Sequence, residues 1–187
     1  AFSGSDISGE EFNFRIADNT ITDNTGNGIY LSFSATAPNS ITDTSVNIDI
    51  THNLITDNSG NGVYIDNYIS APTVSGVSIN NTLYRNIVGS SDGDDYDYYG
   101  NGQNGVELHN EIAAYNETEG SEEGSGIVAS VDDSSINNTF TKNEINDNDN
   151  DGVLMSNSIN AVAYANGVSV DGSVLADVTN SEIANAF

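Results

Sequence analysis

The sequence predicts an all-β solenoid, a parallel β-helix of about five to six coils. Three observations carry that expectation. Ten residues, TDNTGNGIYL at Thr22–Leu31, return almost unchanged as TDNSGNGVYI at Thr56–Ile65, 34 positions later, and a looser copy, NDNDNDGVLM, stands at Asn146–Met155. Apolar residues alternate with a period of two in and around these copies, which is strand patterning and not the 3.6-residue period of a helix. Asparagine recurs just ahead of apolar strand residues along most of the chain.

The strands can be taken in order. In GIYLSF, Ile29, Leu31 and Phe33 share a face; in VNIDI, Val46, Ile48 and Ile50 share one face while Asn47 and Asp49 share the other. A unit Gly-[Ile/Val]-x-apolar begins at Gly28, Gly62, Gly105, Gly126 and Gly152, and a unit Asn-x-apolar begins at Asn19, Asn53, Asn81, Asn110 and Asn138. Gly, Asn, Asp or Ser bounds each short strand. NEIAAYNETEGSEEG supplies one helical turn at most, and VLADVTNSEIANAF ends the chain on a strand-like pattern with no capping helix. Solenoid coils tolerate unequal spacing because extra residues leave at the corners; the longest insert is the acidic, Tyr-rich segment 90–105. A β-sandwich would need hairpin turns and gives no reason for recurring Asn. In a solenoid, Asn19, Asn53, Asn81, Asn110 and Asn138 stack coil upon coil as an amide ladder.

Bulk properties agree. The 187 residues suit one β-helix domain over 1–187, with repeats clearest in 16–155. Lys and Arg number 3 against 28 Asp and Glu, a formal charge of −25. Such a surface repels nucleic acid and anionic membranes and takes cations as partners. It fits an extracellular or cell-surface setting that is saline or rich in calcium. Regular alternation and 15 Tyr and Phe residues argue against disorder. Cysteine is absent, so there is no disulfide framework. No apolar run is long enough to span a membrane. The start at Ala-Phe-Ser without Met reads as a mature or excised piece. Asn80, Asn116 and Asn137 head Asn-x-Ser/Thr sequons and are candidate glycan sites.

NTITDNTGNGIYL, NLITDNSGNGVYI and INNTFTKNEINDNDNDGVLM resemble the parallel β-helix repeats of the pectate-lyase-like superfamily, over roughly Ile16 to Met155. The resemblance implies a right-handed β-helix with three parallel sheets. It says little about function, because the superfamily spans polysaccharide lyases and hydrolases, epimerases, tailspikes, adhesins and surface-layer repeats.

The copies also share the grammar Asp-x-[Thr/Ser/Asp]-x-[Asn/Asp]-Gly: Asp23, Thr25, Asn27, Gly28; Asp57, Ser59, Asn61, Gly62; Asp147, Asp149, Asp151, Gly152. Oxygen side chains at alternate positions ahead of a Gly turn resemble the first half of a calcium loop. The Glu that closes an EF-hand is missing, since Ser34, Tyr68 and Ser158 hold those positions. Asp147, Asp149, Asp151, Asp23 and Asp57 are therefore candidate structural Ca²⁺ ligands, although Asp23 and Asp57 read more simply as corner residues. Asp92, Asp94 and Asp95, with Asp97, form a second acidic candidate.

Catalysis is the rival. Polysaccharide-acting members of the resembled superfamily imply clustered Asp with Arg or Lys, and this chain has only Arg15, Arg85 and Lys142. Asp132-Asp133 is present, but the Gly-His-Gly segment of the pectin hydrolases is not. His52 and His109 read as packing residues beside ladder asparagines. Two carboxylates suffice for a glycosidase, but 28 acids always contain such pairs. Tyr30 and Tyr64 occupy equivalent outward positions and should stack. The resulting expectation is a non-enzymatic extracellular module with a structural or adhesive role in a surface layer, fibre or matrix. It would assemble end to end with copies of itself or neighbouring repeats, with Ca²⁺ as stabiliser, glycans as further partners and no assigned catalytic residue. The alternative is a polysaccharide lyase or glycoside hydrolase.

Overall fold

The computed structural model describes residues 1–89, 100–119, 127–166 and 174–187. The chain winds in five coils. The first holds β1 (Phe2–Ser3), β2 (Asp6–Ser8), β3 (Glu11–Ala17) and β4 (Thr20–Thr22). The second holds β5 (Ile29–Thr36), β6 (Ser40–Thr42), β7 (Ser45–Thr51) and β8 (Leu54–Thr56). The third holds β9 (Val63–Ala71), β10 (Thr73–Ser75), β11 (Ser78–Tyr84) and β12 (Ile87–Gly89). The fourth holds β13 (Val106–Glu119), β14 (Ile127–Asp132), β15 (Ser135–Thr141) and β16 (Glu144–Asn146). The fifth holds β17 (Val153–Asn166), β18 (Val174–Thr179) and β19 (Glu182–Ala186). No helix occurs among the described residues.

Every strand pairs in parallel with its counterpart one coil away. The result is four stacked sheets: β1-β5-β9-β13-β17, β2-β6-β10-β14-β18, β3-β7-β11-β15-β19 and β4-β8-β12-β16. This is the parallel β-helix that the sequence predicts, and antiparallel sandwich pairing is absent from the described strands. The resemblance implied three sheets, and the fourth has a local cause. Asn19 and Asn24, like Asn53 and Asn58, stand on separate amide ladders. The three residues held between them are extended and pair with the coil above.

Alternation places the core where the pattern expected it. Val46, Ile48 and Ile50 are at most 2% exposed, and Ile79 lies between Val46 and Ile136 in the stack. Like sits on like because parallel pairing holds register while coil length changes. Ile29 pairs with Val63, Val63 with Val106 and Val106 with Val153, separations of 34, 43 and 47 residues. The repeat units sort differently from their spacing alone. Gly28, Gly62, Gly105 and Gly152 mark one corner, whereas Ile127–Ala129, from the unit headed by Gly126, belong to β14 on the second sheet. Residues 100–105 of the long insert are corner residues hydrogen-bonded to the coils on either side.

Corners are cut by left-handed residues. Asp18, His52, Arg85 and Lys142 have φ of 60°, 56°, 54° and 56°, and Asp23, Asp57 and Asp147 have 60°, 55° and 53°. Each is followed by a ladder Asn. A third column runs through Gly9, Asp43, Gly76, Asp133 and Asn180. Asp, Asn and Gly tolerate this region best, which explains much of the Asp–Asn content. The repeated glycines before β5, β9 and β13 have another reason. A Cβ on Gly62 would stand 2.4 Å from Val88 Cγ1 and 2.7 Å from the Gly105 carbonyl oxygen, so the coils approach too closely there for any side chain.

Candidate functional site

The outer face of the first sheet gathers the most chemistry. Alternation points Tyr30, Tyr64 and Glu107 outward in one column and Ser32, Asp66, His109 and Ser156 in the next. The Tyr30 and Tyr64 rings stack at 5.3 Å with 2° between their planes, as their equivalent positions predict. Tyr64 meets the His109 ring at 5.6 Å. His109 Nε2 lies 2.7 Å from Glu107 Oε1, and Asn104 Nδ2 donates to Glu107 Oε2 at 2.8 Å. Burial pushes the Glu107 carboxyl up, but hydrogen bonds from His109, Asn104 and Asn61 and the charge of His109 outweigh it, holding the group below its usual value. Tyr64 is raised, first by burial and then by the Asp66 and Glu107 carboxylates. This cluster fixes an imidazole and an aromatic stack on a rigid sheet.

A groove opens at the corner between the first and second sheets. Its floor repeats from coil to coil as Thr36-Ala37-Pro38 and Ser70-Ala71-Pro72, and its wall is Tyr115, Asn116 and Glu117 on the overhanging end of β13. This part has a volume of about 320 Å³. It continues past Ser3, Gly4 and Ser5 on the first coil. Tyr115 Oη donates to Glu117 Oε2 at 2.7 Å. The sequence carried a signal for this corner that composition hides: the chain's two prolines, Pro38 and Pro72, stand 34 residues apart, the separation of the first two ten-residue copies.

The candidate calcium residues take corner roles. Thr22 and Thr56 donate to Asp23 and Asp57, each at 3.0 Å. The next oxygens of the motif are engaged: Asn27 Oδ1 accepts the Asn61 backbone N–H at 2.9 Å, and Asn61 Oδ1 accepts that of Asn104 at 2.9 Å. At both corners these oxygens are thus already engaged within the coil stack. Asp147, Asp149 and Asp151 share an exposed corner after β16, where Asp151 replaces the asparagine of the lower copies. Among the described residues no three His, Asp or Glu side chains converge as metal ligands. Asp92, Asp94, Asp95 and Asp97 lie outside the described residues, as do Tyr96, Tyr98 and Tyr99.

The ladder asparagines separate onto three columns. Asn19 and Asn53 continue through Asn86 and Asn143. Asn81 and Asn138 continue to Asn185 inside the third sheet. Asn110 links Asn67 and Asn157 inside the first sheet. The two interior columns bond to each other across the core through Asn81–Asn110 and Asn138–Asn157. Two further columns have no counterpart in the sequence reading: Asn24–Asn58–Asn101–Asn148 at the next corner and Asn13–Asn47–Asn80–Asn137 on the outer face of the third sheet. The sequon amides Asn80 and Asn137 are thus ladder donors, and Asn116 Nδ2 donates to the Val128 carbonyl.

The basic residues stand elsewhere. Arg15 pairs with Asp49 at 3.5 Å on the third sheet. Arg85 and Lys142 occupy the corner between the third and fourth sheets and lean over the Tyr84 ring at 5.0 and 5.7 Å, with the His52 ring edge-on to it. His109, read as packing, meets the Tyr64 ring and also shares a hydrogen bond with Glu107. Asp132 accepts from Thr179 and Asn180, which lowers its carboxyl, and Asp133 turns the corner beside it. No family model, curated protein or solved structure matches this chain, so its kinship rests on the architecture itself: a parallel β-solenoid.

Proposed function

We propose that the chain is a non-enzymatic module of an extracellular surface layer, fibre or matrix, of the pectate-lyase-like β-helix type. In this reading its coils continue into copies of itself or into neighbouring repeats. The observation that carries it is the open stack. Inward-facing Val178 and Ile183 on the fifth coil are 43% and 44% exposed, and Phe14 on the first coil is 37% exposed. The strand edges and amide columns at these two faces have a geometry that another coil would extend. Against turnover stands the placement of the cations. No Arg or Lys faces the aromatic sheet or the groove among the described residues, so neither carries the Arg or Lys base that the resembled uronate-acting members imply. Glycans remain candidate ligands of the aromatic face. Calcium enters this reading at the Asp147–Asp151 corner and at Asp92, Asp94 and Asp95.

Negative-stain imaging and sedimentation at high protein concentration, with calcium and with chelator, test it. Axial filaments lost in chelator are expected. Monomers in both conditions, or turnover of a polysaccharide abolished by replacing one acid, would overturn the reading.

A further inference from the structure

Two of the chain's three Lys and Arg side chains stand exposed and, among the described residues, without an ion pair, in a protein with 28 acids. Arg85 and Lys142 follow one another on successive coils at the corner between the third and fourth sheets. Both lie over Tyr84, so the ring holds them out from the corner as a basic ridge. Both ridge residues are left-handed and stand in the column of Asp18 and His52.

The sheets follow one another around the coil, so the corner between the first and second sheets lies opposite this ridge. There the groove has a floor of small residues, Ala37 with Pro38 and Ala71 with Pro72, and a wall bearing Tyr115 and the exposed Glu117 carboxylate. Ridge and groove share one repeat, because both are set by the strand spacing of the same solenoid, about 4.8 Å. A long cationic side chain fits such a slot by laying its alkyl stem on Pro38 and Pro72 and its charge against Glu117 and Tyr115.

We propose that the Arg85–Lys142 ridge of one copy docks in the Ala-Pro groove of a second copy, with Lys142 against Glu117. The partner is another copy of this chain because it offers a groove of the same period as the ridge, with the exposed Glu117 carboxylate on its wall. Ridge and groove are opposite corners, so the contact does not close on itself and sets solenoids side by side in rows. The net charge of −25 keeps copies apart at low salt, so the rows form only where salt screens that field. This inference rests on the assembling-module reading and adds a lateral contact to the axial one.

Lys142 is the only lysine, so the Ala1 α-amine is the one other amine a zero-length carbodiimide can couple, and peptide mapping separates the two. An equal mixture of ¹⁴N- and ¹⁵N-labelled full chain, cross-linked at about physiological ionic strength, should give a mixed-isotope Lys142–Glu117 peptide. Glu117→Gln should remove that peptide. Arg85→Glu should lower its yield at least fivefold, and Glu144→Gln on the fourth sheet should leave it unchanged. Mixed-isotope links from Lys142 scattered over other acids, or none, overturn the lateral contact. Axial filaments seen in the same sample would leave the end-to-end reading standing, so the two fail separately.

Discussion

Asn86→Ala is the sharpest test of what holds the coils together. Asn86 is 1% exposed. Its Oδ1 accepts the Asn53 backbone N–H at 3.0 Å and Asn53 Nδ2 at 3.1 Å, while its own Nδ2 donates to the Ile50 carbonyl at 2.7 Å and to Asn143 Oδ1 at 3.0 Å. Alanine leaves the Asn53 backbone N–H without its acceptor and the Ile50 carbonyl without this donor, both out of reach of water. A buried polar group left unpaired costs about 1–3 kcal/mol, so the pair should cost about 4 kcal/mol. Asn47→Ala is the internal control. Asn47 also bonds to asparagines above and below, at 2.8 and 2.9 Å, but on the solvent-facing side, where water replaces the lost partners. Its cost should stay below about 0.5 kcal/mol. Urea unfolding at fixed salt reads both, with the midpoint of Asn86→Ala falling and the slope unchanged. Equal losses in the two variants, or a loss under about 1 kcal/mol for Asn86→Ala, would show that the buried columns align the coils without stabilising them.

Two further outcomes follow. Gly62→Ala should destabilise by about 3 kcal/mol, because its new methyl meets Val88 and a backbone carbonyl that cannot yield; a melting temperature equal to wild type would remove the close-approach account. Glu107 titrates below its usual value in the folded chain, so its contribution to stability is full above the unfolded value of about 4.3 and is lost as pH falls through the folded value. Glu107→Gln should flatten that part of the acid limb of the stability profile, and an unchanged acid limb would count against the His109 clasp.

Much of the architecture could be read from residues alone because parallel stacking repeats its demands. Val46, Ile48 and Ile50 announced an inward face by alternation, and the copies of the ten-residue segment announced a coil. The side of the coil on which each Asn falls could not be read. Asn53 and Asn81 precede apolar residues in the same way, yet Asn53 caps a corner and Asn81 points into the core. That choice depends on whether a left-handed residue comes immediately before the Asn, and His52 gives no hint that it adopts φ of 56°. The calcium grammar is ambiguous at Asp23 and Asp57 for a related reason. Asp, Asn and Gly at alternate positions suit an ion, but they also suit a left-handed corner, a cap on the next coil's N–H and a close backbone approach. The His109–Glu107 contact was missed, His109 being read as packing, although the two stand two residues apart on an alternating strand. Its partner Asn104 gives no signal, because it comes from the preceding corner.

The unequal coils separate perimeter from interior. Separations of 34, 43 and 47 residues lead back to the same rung of the same sheet, so length added at a corner leaves the packed residues undisturbed. Gly89 and Gly100 are the described residues on either side of 90–99, and each lies against the backbone of the coil above. A foreign peptide spliced between them would be displayed at a fixed height on a rigid rod. Several such splices on successive coils would be spaced by the rod itself, as graduations are on a ruler.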